Sequence, residues 1–511
     1  MDSKPTAVVI GAGIGGISAA ARLARQGFSV TVLEKNEKPG GRANQIIRDG
    51  HRFDVGPTLF LMPEVWEETF AALGEKLSDH LQLVRIDPTY RVHFQDGSRL
   101  ELTSNLGRMQ SELEKVEKTA FTSFLAYMAE GSKHYKLSLE KFVGRNFFNI
   151  FEYFSLGNLP LLFQLKALQK HYANTGRFFQ DERLRAAFTF QNMYLGLSPF
   201  DAPATYSLLQ YTELAEGVWY PIGGMYRAIE ALVAIAEKLG VQFVYNAEVA
   251  RMHTAAARID RVTLRDGRTF AADLFVGNAD LPYIYKELLP DRADAQALDK
   301  KLYTCSTIMF YWGVDRQYPQ IAHHNVFLGG DYRGSFDRIF KDHQLPEEPS
   351  FYIHAPARTD PAAAPAGQDT LYVLVPVGHL DDGQDQDWDA MVQRAREVVL
   401  RRLRQEMGIV DLEQHIKFEI VYQPRVWKER FNLEKGAAFG LSHNFAQVGY
   451  LRPKNRHSKY KNLYFTGAST HPGTGLPIVL LSARLTTERI LKEMGRIKAT
   501  EEARRVAPVS A

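Results

Sequence analysis

The first apolar run of the chain is continuous rather than alternating. Thr6-Ala-Val-Val-Ile10 is rich in β-branched residues and has no polar face, which predicts a parallel strand buried on both sides. It stops at Gly11-Ala-Gly-Ile-Gly-Gly16. Small and apolar residues then recur at helical spacing from about Ile14 to Gln26, with Gly27 as the stop. Val30–Glu34 predicts a second strand. The same strand, turn and helix order returns near the far end. There Leu463-Tyr-Phe-Thr-Gly467 reads as a strand, Pro472-Gly-Thr-Gly475 as a turn, and Leu476-Pro477 opens a helix to about Ile490. Pro477 suits a first helical turn, where a missing N–H costs little. Between these ends, residues 111–224 read mostly helical, with 111–135 at helical spacing and VQFVYNAEV (241–249) as a strand. Residues 350–356 and 370–377 read as strands joined by the Pro/Ala loop 359–369.

Gly11, Gly13 and Gly16 form G-x-G-x-x-G between a strand and a helix. The first glycine allows the tight turn, the second lets the backbone approach a pyrophosphate, and the third lets helix and strand pack closely. The helix N-terminus favours the phosphate charge. Glu34, at the end of the second strand, is placed to accept hydrogen bonds from both ribose hydroxyls of an adenosine, and its charge argues against NADP. A second glycine pair with an arginine follows, Gly40-Gly41-Arg42. Extra backbone donors and a cation there suit FAD, whose pyrophosphate continues into a ribityl chain and flavin. A solvated surface turn is the alternative on composition alone.

Composition narrows the classes further. The chain has 511 residues, 45% hydrophobic and 24% charged, an ordinary globular balance. The formal net charge is +3, without a long basic run, so nucleic acid is not expected as a partner. A single cysteine, Cys305, excludes an internal disulfide and suits a reducing cytoplasm. No secretory signal is expected ahead of the first strand. The most apolar stretch, 147–168, is interrupted by Glu152, Gly157, Asn158 and Pro160, so it is not expected to cross a bilayer.

The segment Asn462–Ser482, with Thr470-His-Pro-Gly-Thr-Gly475 at its centre, resembles the bacterial-type phytoene desaturase family of carotenoid oxidoreductases. Residues 194–233, Val276-Gly-Asn-Ala-Asp280 and 322–329 are similar to other blocks of that family. The two terminal motifs are shared more loosely with amine oxidases. The resemblance implies an α/β fold: a discontinuous Rossmann-like FAD-binding domain (1–110, 225–290, 455–511) with an α+β substrate domain of the flavin amine oxidase type. The latter comprises a helical, membrane-facing part (111–224) and residues 291–454. It also implies FAD as cofactor and stepwise dehydrogenation of a long C40 polyene such as 15-cis-phytoene toward neurosporene or lycopene. Gly11, Gly13, Gly16, Glu34, Gly41 and Arg42 would contact FAD, Val249 would hold the adenine edge by its backbone, and Gly467, Ala468 and Pro477 would lie around the flavin and ribityl chain. A cytoplasmic enzyme peripherally attached to the membrane is expected. The aromatic-rich 147–172, rimmed by Lys166 and Lys170, would be the contact surface, although core packing explains the same stripe.

No catalytic residue is assigned. His471 is more simply read as bonding the turn backbone, and Glu213 and Glu216 fit a solvated helix face as well as a place near the substrate path. His323-His324 is not expected to bind metal, because no further ligand stands at metal spacing in the sequence. The alternatives are a desaturase of another carotenoid or a C30 analogue, a carotenoid isomerase, a flavin amine oxidase, and a prenyl-binding module of the Rab-escort type. The intact Gly41-Arg42 and Thr-His-Pro-Gly-Thr-Gly turn speak against the last.

Overall fold

The computed structural model describes residues 4–153, 157–290 and 293–496. Its organising element is a five-stranded parallel sheet in the order Leu463–Phe465, Leu274–Gly277, Thr6–Ile10, Ser29–Leu33, Gln242–Val244. The central strand explains its own sequence. Ala7 and Val9 pack on the helices Ile14–Arg25, Tyr226–Lys238 and Leu476–Glu493, while Val8 and Ile10 face Met252 and Val262 of a three-stranded antiparallel layer. With both faces covered, positions 7–10 are buried and apolar, and only Thr6 at the start of the strand is polar and exposed.

The second sheet has seven strands, in the order Ile416–Tyr422, Ser306–Val314, Asp369–Val377, Phe351–His354, His324–Leu328, Tyr90–Phe94, Arg99–Leu102. All its pairs are antiparallel except His324–Leu328 with Tyr90–Phe94. Helix Trp388–Met407 buries Trp388, Ala395, Val399 and Leu403 against one face, and the opposite face carries Met309, Tyr311 and Tyr372. Two of these strands, Tyr90–Phe94 and Arg99–Leu102, come from the first 110 residues, which also supply two strands of the parallel sheet. The chain therefore crosses between the sheets before residue 110.

Two local expectations change. The helical stretch around 111–135 is two helices, Leu106–Glu114 and Ala120–Ser138, the first capped by the Asn105 side chain accepting the Arg108 N–H. VQFVYNAEV is not one strand but parts of two, Gln242–Val244 and Val249–Ala255, in different sheets. Asn246 turns the chain between them with φ +50°. Among the described residues no helix is long and apolar enough to cross a membrane. The residues beyond Arg496 lie outside the described part of the chain.

Candidate functional site

The glycine turn is filled from below by an asparagine. A Cβ on Gly13 would stand 2.8 Å from Asn278 Oδ1, and one on Gly15 would stand 2.7 Å from Asn278 Nδ2. The Asn278 amide itself donates to the Thr466 carbonyl at 3.1 Å, tying the first glycine turn to the C-terminal one. A Cβ on Gly16 would meet the Gly11 carbonyl oxygen at 2.1 Å, so this position does not line the cavity and serves packing. The second glycine pair lies directly along the first turn. Gly40 N–H donates to the Ala12 carbonyl at 2.8 Å, and Gly41, with φ +56°, would place a Cβ 3.4 Å from Gly13 Cα.

Glu34 is buried and ties this arrangement together. Its Oε2 accepts the Ala12 N–H at 2.6 Å, and its Oε1 accepts the Asn36 N–H at 2.8 Å and side-chain amide at 3.0 Å. Burial pushes its carboxyl up from the ordinary carboxylate range, and these hydrogen bonds pull it back. A carboxylate has about four accepting positions, so the protein itself uses most of them. Arg42 is half-buried, lies near Asp280 and donates to the Ala438 carbonyl at 2.8 Å. Asp280 accepts from Ser469 at 2.6 Å and from the Glu434 N–H at 3.1 Å.

The C-terminal turn is clamped by a residue for which the sequence held no signal. Arg452, fully buried, donates to the carbonyls of Ala468, Thr470, Ser442, Gln447 and Leu441 at 2.5–3.2 Å. It holds Gly467-Ala468 and Thr470 against the loop 441–447. Gly467 and Gly475 have φ of +128° and +105°, conformations that favour glycine. Pro477 lies in the first turn of Leu476–Glu493.

One cavity of about 620 Å³ joins these parts. Gly11, Gly13, Glu34, Gly41, Arg42, Val249, Gly467, Ala468 and Pro477 all line it, as do Asn278 and Asp280. Both helix N-termini, Ile14 with Gly15 and Leu476 with Pro477, open onto it. Beyond them the walls become apolar: Leu162, Leu165, Leu209, Met309, Phe336 and Phe351.

The polar groups around the apolar half are few. His471 lines the cavity and bonds the Arg145 carbonyl through Nε2 at 2.9 Å rather than its own turn, and burial lowers its imidazole pKa to about 4. Glu213 does not lie on a solvated face. It is buried and accepts from the Tyr90 hydroxyl at 2.9 Å, and Tyr90 in turn accepts from Tyr194, a cavity-lining residue, at 3.0 Å. Desolvation lifts its carboxyl to about 8, and that of the half-buried Glu216 to about 7.

In the described part of 147–172 the stripe divides. Phe147, Tyr153 and Leu165 are buried, whereas Phe151, Phe163 and Leu168 are 82%, 76% and 70% exposed. The expected basic rim is different. Lys166, with φ +48°, turns inward to Glu130 and Asn174 and is mostly buried. Arg489 and Lys492 of the C-terminal helix instead stand over the Phe148 ring at 5.3 and 4.1 Å. A third histidine stands beside His323-His324 in space, far from them in the sequence. Strand pairing sets His354 directly opposite His324, and a ring nitrogen of each of the three lies within 4.8 Å of the others.

The family described as flavin containing amine oxidoreductase matches residues 14–491. A zeta-carotene-forming phytoene desaturase of Myxococcus xanthus is 50% identical over 486 residues, 95% of this chain and 93% of its own. A phytoene desaturase of Fusarium fujikuroi is 44% identical, covering 97% and 90%. A solved oxidoreductase structure from Methanosarcina mazei superposes with a TM-score of 0.64 at 17% identity, covering 94% of this chain and all of that one. At that identity it speaks for the fold alone.

Proposed function

We propose that this chain, which belongs to the flavin containing amine oxidoreductase family, is a carotenoid desaturase that dehydrogenates 15-cis-phytoene stepwise toward neurosporene and lycopene. It is an FAD-dependent oxidoreductase. The cradle fits that cofactor: the N-terminus of helix Ile14–Arg25 favours the pyrophosphate charge, and Gly11, Gly13 and Gly41 present bare backbone to the cavity. In this reading Gly11, Gly13, Gly41, Arg42 and Val249 hold the dinucleotide half, with Glu34 offering its remaining accepting position to a ribose. Gly467, Ala468 and Pro477 surround the flavin end, and Gly16 acts through packing.

The observation that carries the substrate reading is the continuity of the cavity. It runs from the glycine turn, past the C-terminal turn, into walls of leucine, methionine and phenylalanine, and reaches Leu162 and Leu165 of the segment that exposes Phe151 and Phe163. A long hydrocarbon matches such walls, and a polar amine does not. An allylic C–H is too weak an acid for any side-chain base to remove first, so the hydrogen must leave with its electrons. Bound in the cradle, FAD supplies the hydride acceptor. The residues of the chain then orient the polyene and exclude water from the developing allylic cation. Tyr194, hydrogen-bonded through Tyr90 to the buried Glu213, brings a polar hydroxyl to the wall of this apolar half, and the proton that follows leaves the carbon next to the cation.

The exposed Phe151, Phe163 and Leu168, with Lys492 beside Phe148, suit peripheral attachment to an anionic membrane surface, from which the substrate enters. The test is anaerobic incubation of FAD-loaded protein with 15-cis-phytoene in liposomes, following flavin bleaching and polyene absorption together. Bleaching with new long-wavelength bands supports desaturation, and the band positions count the steps: a stop at zeta-carotene would match the Myxococcus relative and replace neurosporene and lycopene as the product. Absence of bleaching alongside an active control desaturase refutes the reading.

A further inference from the structure

Outside the flavin cavity, one cluster of buried titratable groups has no role in the reaction. His324 and His354 are cross-strand partners, and His323 immediately precedes the same strand. All three are buried, and their ring centroids are 4.4–5.3 Å apart. Nε2 of His323 lies 3.1 Å from Nε2 of His354, a spacing that two imidazoles satisfy by sharing one proton or one metal ion. His324 Nε2 is buried and has no hydrogen-bond partner among the described residues. Such a group is expected to have a partner in a native protein.

We propose that His323, His324 and His354 form a binding site for a late first-row divalent metal ion, zinc foremost. Two of the three ligands are already oriented from behind, as metal-binding histidines are. His323 Nδ1 lies 2.7 Å from Thr359 Oγ1, and His324 Nδ1 lies 2.6 Å from the Tyr352 hydroxyl. Nitrogens on a tetrahedral zinc ion stand about 3.4 Å apart, given Zn–N bonds of about 2.0–2.1 Å. The His323–His354 pair is close to that distance, and the third nitrogen, within 4.8 Å, closes by side-chain rotation. The nearby Arg358 does not compete for the site, because its guanidinium is paired with Asp369 at 2.7 Å.

The donor set fixes the chemical class. Three nitrogens without a carboxylate select zinc, cobalt or nickel over magnesium or calcium, which require oxygen ligands. The location fixes the role. Tyr352, bonded to His324 and to Thr58 at 2.8 Å, lines the cavity together with Thr58. An ion on the three histidines therefore pins one wall of the apolar half. It is a structural site, set apart from the hydride chemistry.

The experiment uses the full-length, FAD-loaded protein, stripped with a chelator and dialysed, then titrated with cobalt(II). Absorption is read at wavelengths beyond the flavin bands, and metal per chain is counted by mass spectrometry after gel filtration. The expected result is one equivalent with a tetrahedral-type cobalt spectrum, displaced by zinc(II) but not by calcium(II), and absent from His354→Gln. Thr359→Ala, which keeps all three ligands, is expected to weaken binding by about 10–100-fold, and it decides the matter if His354→Gln fails to fold. Three results would each overturn the proposal: no cobalt retained by wild-type protein with an intact flavin spectrum, one equivalent retained by folded His354→Gln, or unchanged affinity in Thr359→Ala.

Discussion

The Glu34 carboxylate accepts the Ala12 N–H at 2.6 Å, so the acid that ends the second strand also closes the glycine turn beside it. A substitution here loosens the glycine turn and, in the proposed reading, removes a ribose contact at once. Hydrogen bonds to a charged group contribute about 1.5–3 kcal/mol each, so Glu34→Ala is expected to retain FAD roughly ten- to a hundredfold less tightly. Glu34→Gln, which still accepts, should fall between. Flavin content after gel filtration and the dissociation constant of added FAD measure this, and full retention in Glu34→Ala would remove the assigned role.

Gly16 and Gly475 fail for different reasons when substituted. A Cβ at Gly16 collides with the Gly11 carbonyl at 2.1 Å, so Gly16→Ala must part the helix from its strand. It is expected to destabilise the protein by several kcal/mol, in the class of overpacking, for which about 1–3 kcal/mol is usual, and to abolish flavin binding. At Gly475 the nearest neighbour of a Cβ is Ile478 at 3.6 Å, ordinary contact, but φ is +105°. Gly475→Val is therefore limited by backbone strain of about 1–3 kcal/mol. Denaturant unfolding of both variants should show the larger loss at Gly16.

Glu213 supplies a pH signature. Its carboxyl rises from an ordinary 4.5 to about 8 in the fold, so between these values the folded protein holds a proton that the unfolded chain has released. Stability from this group is complete at low pH and is lost as pH rises through about 8. Relative to Glu213→Gln, the wild type should lose on the order of a few kcal/mol between pH 5 and 8. Urea midpoints across that range give the comparison. A pH-independent difference would mean that Glu213 ionises normally.

Phe151 and Phe163 test the membrane reading without touching the cavity's dinucleotide half. Each ring buried in lipid contributes up to about 1.5–3 kcal/mol. The double variant Phe151→Ser, Phe163→Ser should lose at least tenfold in affinity for anionic liposomes, with an unchanged flavin spectrum. Equal sedimentation of variant and wild type would place the contact elsewhere.

The parts of the site legible in the sequence are those written locally. A glycine turn between a continuous apolar strand and a small-residue helix states its geometry within thirty residues, and the strand Thr6–Ile10 and the start of helix Leu476–Glu493 lie where the pattern puts them. What escaped depends on long-range pairing. His354 becomes a neighbour of His324 only through strand register, and Arg452 reads as an ordinary surface arginine until five carbonyls converge on it. Asn278 sits in a block matched to the family, yet its contact with Gly13 and Gly15 needs two strands to lie side by side. Lys166 shows the opposite error: an apparently basic rim position is turned inward by its own left-handed backbone and a partly buried glutamate, Glu130.

The parallel sheet has a consequence for how the protein is made. Its outer strand, Leu463–Phe465, completes the layer by pairing with Leu274–Gly277, and the Thr466 carbonyl that receives the Asn278 amide follows it directly. During synthesis the glycine turn emerges long before this strand, and it cannot be finished until the strand has followed. Closing of the flavin cradle thus waits for that strand. Until then the nascent protein carries an unpaired, apolar strand edge of the kind that recruits other chains, and the interval between emergence and closure is when chaperones matter most to it.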